Sequence, residues 1–232
     1  MKAILLDIEG TTTPIDFVHK TLFPYAKEKI ADFVRENFAG ISDEIAQLKG
    51  EHEKDTAYEA GFDVASAESV ANYLEFLIGV DRKSTPLKSL QGKIWQQGYE
   101  NGELRGEVFA DVPRAFERWQ DEKKKIAIYS SGSVLAQKLI FGYSDKGDLT
   151  EFITDHFDTT TGAKRDAESY KKIAEALNFP PADILFISDI PAELDAARSA
   201  GLSTALSLRE GNEELTEEPT HRIIQTFAEI NE

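Results

Sequence analysis

Short apolar runs rich in branched side chains recur along the chain. Three of them, Ala3–Leu6, 126–129 and 184–187, end in a polar residue or an acid and lead into a loop and a helical pattern. Runs of this kind are typical of buried parallel strands. A fourth run at 204–208 predicts another strand of the same sheet.

Helical patterns fill the segments between these runs. After a strand-like segment at 107–109, Asp111 is placed to cap a helix that buries Phe116 and Trp119. A later pattern has apolar residues at helical spacing, namely Tyr170, Ile173, Ala174 and Leu177. The alternation of strand, helix and strand predicts an α/β fold with a Rossmann-like, doubly wound parallel sheet.

Residues 16–106 contain almost nothing that is typical of a strand. Three successive helical patterns, at 24–34, 70–78 and 85–94, predict a helical insertion there. It enters at the carboxyl end of the first strand, where open α/β sheets bind ligands, so we expect it to act as a cap over a site. The predicted domains are a catalytic core at 1–15 and 107–232 and a helical cap at 16–106.

Composition and charge exclude several classes of protein. The chain has 42 acidic and 26 basic side chains, a formal charge of -16, which repels the phosphates of nucleic acids. Cysteine is absent, and four scattered histidines lack the spacing of a zinc site. The apolar runs are far shorter than the roughly 20 residues needed to cross a membrane. Asp7 also interrupts the N-terminal stretch that would have to be apolar in a signal peptide. We expect a cytoplasmic protein with neither a nucleic-acid nor a membrane partner.

The first strand ends in the most informative segment, DIEGTTTP at residues 7–14. It places Asp7 and Glu9 two residues apart beside Gly10 and three hydroxyl groups. A carboxylate nucleophile needs a position where its oxygen faces the substrate. A second acid two residues later can reach the leaving group if the chain turns at Gly10. The alternative is a pair of acids that cap a helix or lie in a turn.

Further polar residues follow the other strands. Ser130 and Ser131 can offer donors to an anion, although a turn with a helix cap would have the same sequence. Asp189 is either a site carboxylate or the N-cap of the next helix. Lys164 lies in a polar loop and, taken alone, is typical of a solvated surface lysine.

Parallel strands bring their carboxyl ends to one edge of a sheet. Asp7, Glu9, Ser130 and Asp189 should therefore meet there. Two carboxylates 4 Å apart repel by roughly 4 kcal/mol at an effective dielectric of 20, so they need a cation. Oxygen ligands without histidine or cysteine favour a hard ion, and Mg²⁺ fits best.

These residues resemble the haloacid dehalogenase-like superfamily of phosphotransferases, whose four motifs follow this order. The resemblance covers nearly the whole chain and implies Asp7 as the nucleophile and Ser130 or Ser131 as the phosphate-holding hydroxyl. It implies Lys164 as the phosphate-binding lysine and Asp189 as the metal-binding acid. It also implies that the insertion is a helical cap.

Closer resemblance is to the enolase-phosphatase family of methionine salvage, the acireductone synthases. Glu9 stands where the superfamily's phosphatases usually have Asp, and the runs 7–15, 129–133 and 137–142 match this family together. The resemblance implies conversion of 2,3-diketo-5-methylthiopentyl-1-phosphate to 1,2-dihydroxy-3-keto-5-methylthiopentene plus phosphate, through an aspartyl-phosphate on Asp7. Glu193 departs from the superfamily pattern, where a second Asp is common.

The same resemblance implies one Mg²⁺ per subunit and a monomer. The metal ligands would be Asp7, the Glu9 backbone carbonyl and Asp189. Two other functions remain open: a phosphatase of the same superfamily that acts on another small phosphate ester, such as a sugar phosphate, and a non-catalytic binding module. Loss of a motif would favour the module, and every motif is present.

Overall fold

The computed structural model describes residues 1–212 and 220–230. The strands in chain order are β1 at Ala3–Leu6, β2 at Lys125–Tyr129, β3 at Ile153–Phe157, β4 at Ile184–Ser188, β5 at Ser203–Ser207 and β6 at Arg222–Ile224. They form one parallel sheet in the spatial order β3-β2-β1-β4-β5-β6. This is the doubly wound order, with the switch point between β1 and β4, so the predicted fold class is confirmed.

The helix at Ser42–His52 was not predicted, but every predicted helical pattern lies on one of the observed helices. The helices are α1 at Ile15–Phe17, α2 at Phe23–Asn37, α3 at Ser42–His52, α4 at Ala67–Gly79, α5 at Thr85–Glu100, α6 at Val112–Asp121, α7 at Val134–Gly142, α8 at Ala167–Leu177 and α9 at Pro191–Ser199. A π-helical turn spans Val18–Leu22, and 3-10 turns lie at Phe38–Gly40, Thr150–Phe152, Pro181–Asp183 and Phe227–Glu229. Within the described ranges, no helix combines the length and the apolar character needed to cross a membrane.

The strand predicted at 107–109 is wrong. Val108 is buried, which explains the apolar signal, but its backbone N–H donates to Asp145 Oδ1 at 3.3 Å. The N–H of Phe109 donates to the Thr12 carbonyl oxygen at 3.0 Å. These donors bind a side chain and a loop instead of a neighbouring strand.

Two strands have no apolar run to predict them. Both β3 and β6 are edge strands of the sheet, so neither needs to be apolar on both faces. In β3, the polar residues Thr154, Asp155 and His156 interrupt the pattern, and most of the strand is only partly buried. The three residues of β6 are too few to form a pattern.

Alternating side chains of the central strands enter two apolar layers. On one face Tyr129 of β2, Tyr170 of α8 and Phe186 of β4 pack together, with ring centroids 5.1 to 5.5 Å apart. A second aromatic group, centred on Phe116 and Trp119 of α6, is fully buried. The apolar residues predicted on α6 and α8 are therefore core residues.

Two compact units make up the chain, one formed by Met1–Val18 with Arg105–Glu232 and the other by His19–Leu104. The second unit is described over its whole length and contains helices without a strand. Its predicted apolar faces are buried, as at Phe33 and Leu74, and Trp95 Nε1 donates to the Leu22 carbonyl oxygen at 2.8 Å. The role of this unit as a cap stays a prediction.

Asp111 stands at the N-cap of α6, as predicted, but its carboxylate does not cap the helix. It instead accepts two bonds from Arg209 Nη1, at 3.1 and 3.0 Å, and one from the Phe227 N–H at 2.6 Å. The Arg209 guanidinium is buried between the rings of Phe109 and Phe227, 4.7 and 4.6 Å from their centroids. The Asp111 carboxylate thus fastens the start of α6 both to Arg209, which follows β5, and to Phe227, which follows β6.

Replacement of Asp111 by Ala should lower the free energy of unfolding by about 3 to 5 kcal/mol, because Arg209 would keep a buried charge without its carboxylate. Urea denaturation measures the change. The control is Asp121→Ala at the exposed end of the same helix, which should stay within about 0.5 kcal/mol of wild type. A loss at Asp111 no larger than that of the control would contradict this role.

Candidate active site

Asp7 follows the last residue of β1 and is held by three donors. It is buried, and its Oδ1 accepts the Ile8 backbone N–H at 2.8 Å. Its Oδ2 accepts Lys164 Nζ at 2.7 Å and Ser188 Oγ at 3.2 Å. The predicted nucleophile therefore has a fixed orientation at the carboxyl end of a central strand.

The loop after Asp7 turns at Gly10, which has a φ of 65°. A Cβ at this position would lie 2.3 Å from Asp189 Oδ2, so a side chain would displace that carboxylate. The backbone N–H groups of residues 11–13 donate to the Ile8 carbonyl oxygen at 2.9 to 3.2 Å. The threonine run thus forms a tight turn that lets Asp189 approach the first motif.

Lys164 is 8% exposed, so the interpretation as a solvated surface lysine is wrong. Its Nζ lies 2.7 Å from both Asp7 Oδ2 and Glu193 Oε2, while its carbonyl oxygen accepts the Tyr170 hydroxyl at 2.6 Å. Burial lowers the pKa of Lys164, but the charges of Asp7 and Glu193 outweigh burial and raise it above the usual value. The side chain is therefore a buried cation.

Glu193 is a site residue to which the sequence assigned no role. It lies in the first turn of α9 and is 8% exposed. Besides the ion pair with Lys164, its Oε2 lies 3.0 Å from Ser188 Oγ, whose single proton it shares with Asp7 Oδ2. Burial, and then the negative charge of Asp7, raise the pKa of Glu193 above its usual value. Its position one helical turn after Asp189 was the available signal.

Asp189 is not a helix cap, because Ile190 occupies the N-cap position of α9. Burial, and then the charge of Asp7, raise the pKa of Asp189 to about 7. The capping alternative is therefore excluded, and the carboxyl group lies in a site where negative charges crowd together.

Ser130 follows β2 at the same edge of the sheet, since Leu6 of β1 pairs with Ile128 of β2. Ser130 is buried, and its Oγ accepts the Gly132 N–H at 3.1 Å. Ser131 is exposed. Of the two predicted hydroxyl groups, that of Ser130 is therefore buried and hydrogen-bonded to the backbone of its own loop.

Glu9 is partly exposed and forms an isolated bridge with Thr13 within the turn. Asp7 and Glu193 are joined in one network, because the Lys164 ammonium and the Ser188 hydroxyl each lie within hydrogen-bond distance of both carboxylates. The other predicted residues follow strand ends at the same edge.

Comparisons with known proteins agree with this geometry. The haloacid dehalogenase-like hydrolase family matches residues 1–201. Enolase-phosphatase E1 of Synechococcus elongatus is 54% identical over 90% of this chain and 89% of its own length. Enolase-phosphatase E1 of Drosophila willistoni is 47% identical over 98% and 96%. The chain belongs to the enolase-phosphatase E1 family of haloacid dehalogenase-like hydrolases.

A solved structure resembles the whole enolase-phosphatase chain. The UTR4 protein of Saccharomyces cerevisiae is 34% identical, covers 99% of both chains and superposes with a TM-score of 0.82. More distant structures show a likeness of fold alone, such as CbbY of Rhodobacter sphaeroides at 16% identity and a TM-score of 0.60.

The residues fit the hard cation that this enolase-phosphatase family implies. Among the described residues no group of three or more His, Asp or Glu side chains could hold a metal ion. The predicted set needs only two carboxylates, Asp7 and Asp189, with the Glu9 carbonyl, and Mg²⁺ commonly uses one or two carboxylates with water. The raised pKa of Asp189 reflects burial first and then the negative charge of Asp7, and a cation would offset both.

The raised pKa of Asp189 predicts a pH-dependent penalty in metal-free protein. The folded state holds this proton more tightly than the unfolded state, whose ordinary value is 3.8, so stability falls as the pH rises from 3.8 to about 7. Asn cannot ionise. In EDTA, Asp189→Asn should therefore gain stability relative to wild type by urea denaturation, more at pH 8 than at pH 5.

Asp121→Asn provides the control because its side chain is exposed on α6. Its difference from wild type should be the same at both pH values. If the stability gained by Asp189→Asn over wild type does not grow between pH 5 and pH 8, the ionised carboxylate of Asp189 is not destabilised by its surroundings.

Proposed function

We propose that the protein converts 2,3-diketo-5-methylthiopentyl-1-phosphate to 1,2-dihydroxy-3-keto-5-methylthiopentene and phosphate, with Mg²⁺ as its metal. The observation that carries this proposal is the buried cation Lys164, 2.7 Å from the carboxylate of Asp7 at the end of a central strand. A carboxylate and a cation held together in this way suit attack on a charged phosphoryl group. The names of the relatives support the two activities, enolase and phosphatase, and the family resemblance implies the substrate.

In the phosphatase half, a carboxylate oxygen of Asp7 bonds to phosphorus while the bond from phosphorus to the ester oxygen breaks. Glu9 gives a proton to the leaving oxygen and later takes one from the water that hydrolyses the aspartyl-phosphate. Lys164 and the Ser130 hydroxyl hold the other phosphoryl oxygens. When bound, Mg²⁺ supplies charge neutralisation at the phosphoryl group.

In the enolase half, the carbon next to a carbonyl loses a proton and the carbonyl oxygen gains one, which forms the enol before the ester is hydrolysed. Asp7, the Glu9 backbone carbonyl and Asp189 would hold one Mg²⁺ per subunit, close to the phosphate end of the substrate. The proposal also includes a monomeric state, which the family resemblance implies, and a cytoplasmic location, which the short apolar runs of the sequence led us to expect.

A paired assay tests the proposed reaction. With Mg²⁺ and the diketone phosphate, free phosphate and the absorbance of the enediol should rise together, because one site performs both halves. EDTA should remove both signals, and Asp7→Asn should abolish phosphate release because no nucleophile remains.

Two other outcomes would contradict the proposal in different ways. Faster phosphate release from hexose phosphates than from the diketone, without an enol, would indicate a sugar phosphatase with the same nucleophile. Absence of phosphate release from every ester would indicate a non-catalytic module.

Glu9→Gln should lower the rate of phosphate release by about 10² to 10⁴, since the amide can neither give nor take the proton. Steady-state turnover with saturating substrate measures the loss. Glu117→Gln, at an exposed position of α6, should retain the wild-type rate. A loss below tenfold at Glu9 would remove it from the acid and base role.

A further inference from the structure

Gln137 belongs to a segment that the mechanism above does not use. It lies on α7 and is fully buried, with 0% of its side chain exposed. A buried amide must satisfy its hydrogen bonds within the protein, because an unpaired one is costly. The partners of Gln137 therefore indicate what it does.

The amide of Gln137 ties together both sides of the loop after β2. Its Nε2 donates to the Gly132 carbonyl oxygen at 3.1 Å and to the Phe157 carbonyl oxygen at 2.8 Å. The Phe157 oxygen also accepts the backbone N–H of Ser130 at 3.2 Å. One side chain thus fastens the loop at 130–132 to the end of β3.

The orientation of this amide is fixed by a third contact. Gln137 Oε1 lies 3.0 Å from His156 Nδ1. Both Nε2 protons are already donated, so Oε1 accepts, and the proton of the imidazole is on Nδ1. Burial, and then the charge of Lys138, lower the pKa of His156 to about 4, which keeps the ring neutral near pH 7.

The loop that Gln137 holds also directs the Ser130 hydroxyl. Ser130 Oγ accepts the Gly132 N–H at 3.1 Å, so its own proton must point to another acceptor. Gln137 holds the carbonyl of Gly132, and the N–H of the same residue donates to Ser130 Oγ, so rotation of the backbone at Gly132 would change the direction of that proton. Without Gln137 Nε2, the Gly132 carbonyl loses this donor and the Phe157 carbonyl keeps the Ser130 N–H, so the loop is held to β3 by fewer hydrogen bonds.

We propose that Gln137 is a positioning residue for phosphate, whose amide fixes the 130–132 loop so that the Ser130 hydroxyl donates to the bound anion. This inference rests on the proposed function, because that function makes the loop a phosphate site. A purely structural role would affect stability and leave phosphate affinity unchanged.

The test uses Gln137→Met, which keeps the length of the side chain and removes its hydrogen bonds. The probe is inorganic phosphate with Mg²⁺, measured by calorimetry well below the melting temperature of each variant. Loss of the two tethers should weaken phosphate binding by about tenfold. The KM for the phosphate ester should rise in parallel.

The matched control is Leu139→Ala on the same helix. Leu139 is buried and apolar, so this change lowers stability without removing a hydrogen bond from the loop. Its phosphate affinity should equal that of wild type. If the Leu139 variant loses as much affinity as the Gln137 variant, the effect is one of stability and the inference is overturned.

The phosphate-binding measurement distinguishes failure of the proposed function from failure of this inference alone. Wild-type protein that binds no phosphate overturns the proposed function together with this inference. Wild-type protein that binds phosphate, with equal affinity in folded Gln137→Met, overturns the inference alone.

If Gln137→Met does not fold, the wild-type protein supplies the test. The Nε2 protons of Gln137 and the amide proton of Ser130 are followed by NMR during phosphate titration. A common shift, with the same midpoint, supports the tether. Movement of the Ser130 signal without the Gln137 signals overturns it.

Discussion

The buried ammonium of Lys164 is the interaction on which the site depends. Asp7 and Glu193 would otherwise place two carboxylates that repel each other in one buried space without a cation. Lys164 lies 2.7 Å from both and offsets that repulsion. All three charged groups are buried away from water, so removal of one would leave a buried charge without its partner and would destabilise the folded protein.

The hydrophobic core and the ionic network share a residue. Tyr170 packs its ring against Tyr129 and Phe186 in the core, and its hydroxyl donates to the Lys164 carbonyl oxygen at 2.6 Å. The aromatic layer thus positions the backbone from which the lysine reaches Asp7. Tyr170 in this way links the hydrophobic core to the ionic network, and the hydrogen-bonded sheet fixes the distances between strand ends.

Sequence patterns succeeded where burial on both faces of a strand leaves an apolar run. They located β1, β2, β4 and β5 to within one residue at each end, and failed at the polar edge strand β3. The segment 107–109 was misread as a strand because burial of Val108 imitates one, while its backbone donors bind elsewhere. An apolar pattern indicates that a residue is buried, but it does not show which group its backbone N–H binds.

By itself, the sequence determined the fold class, the family and the acids at the strand ends, because these depend on local order along the chain. Only the tertiary structure decided the environment of each group. Lys164 became a buried cation, Glu193 became its second partner, and Gln137 became the tether of a loop, through contacts with residues distant in sequence. Burial and charge pairing are properties of packed neighbours, so no local pattern can state them.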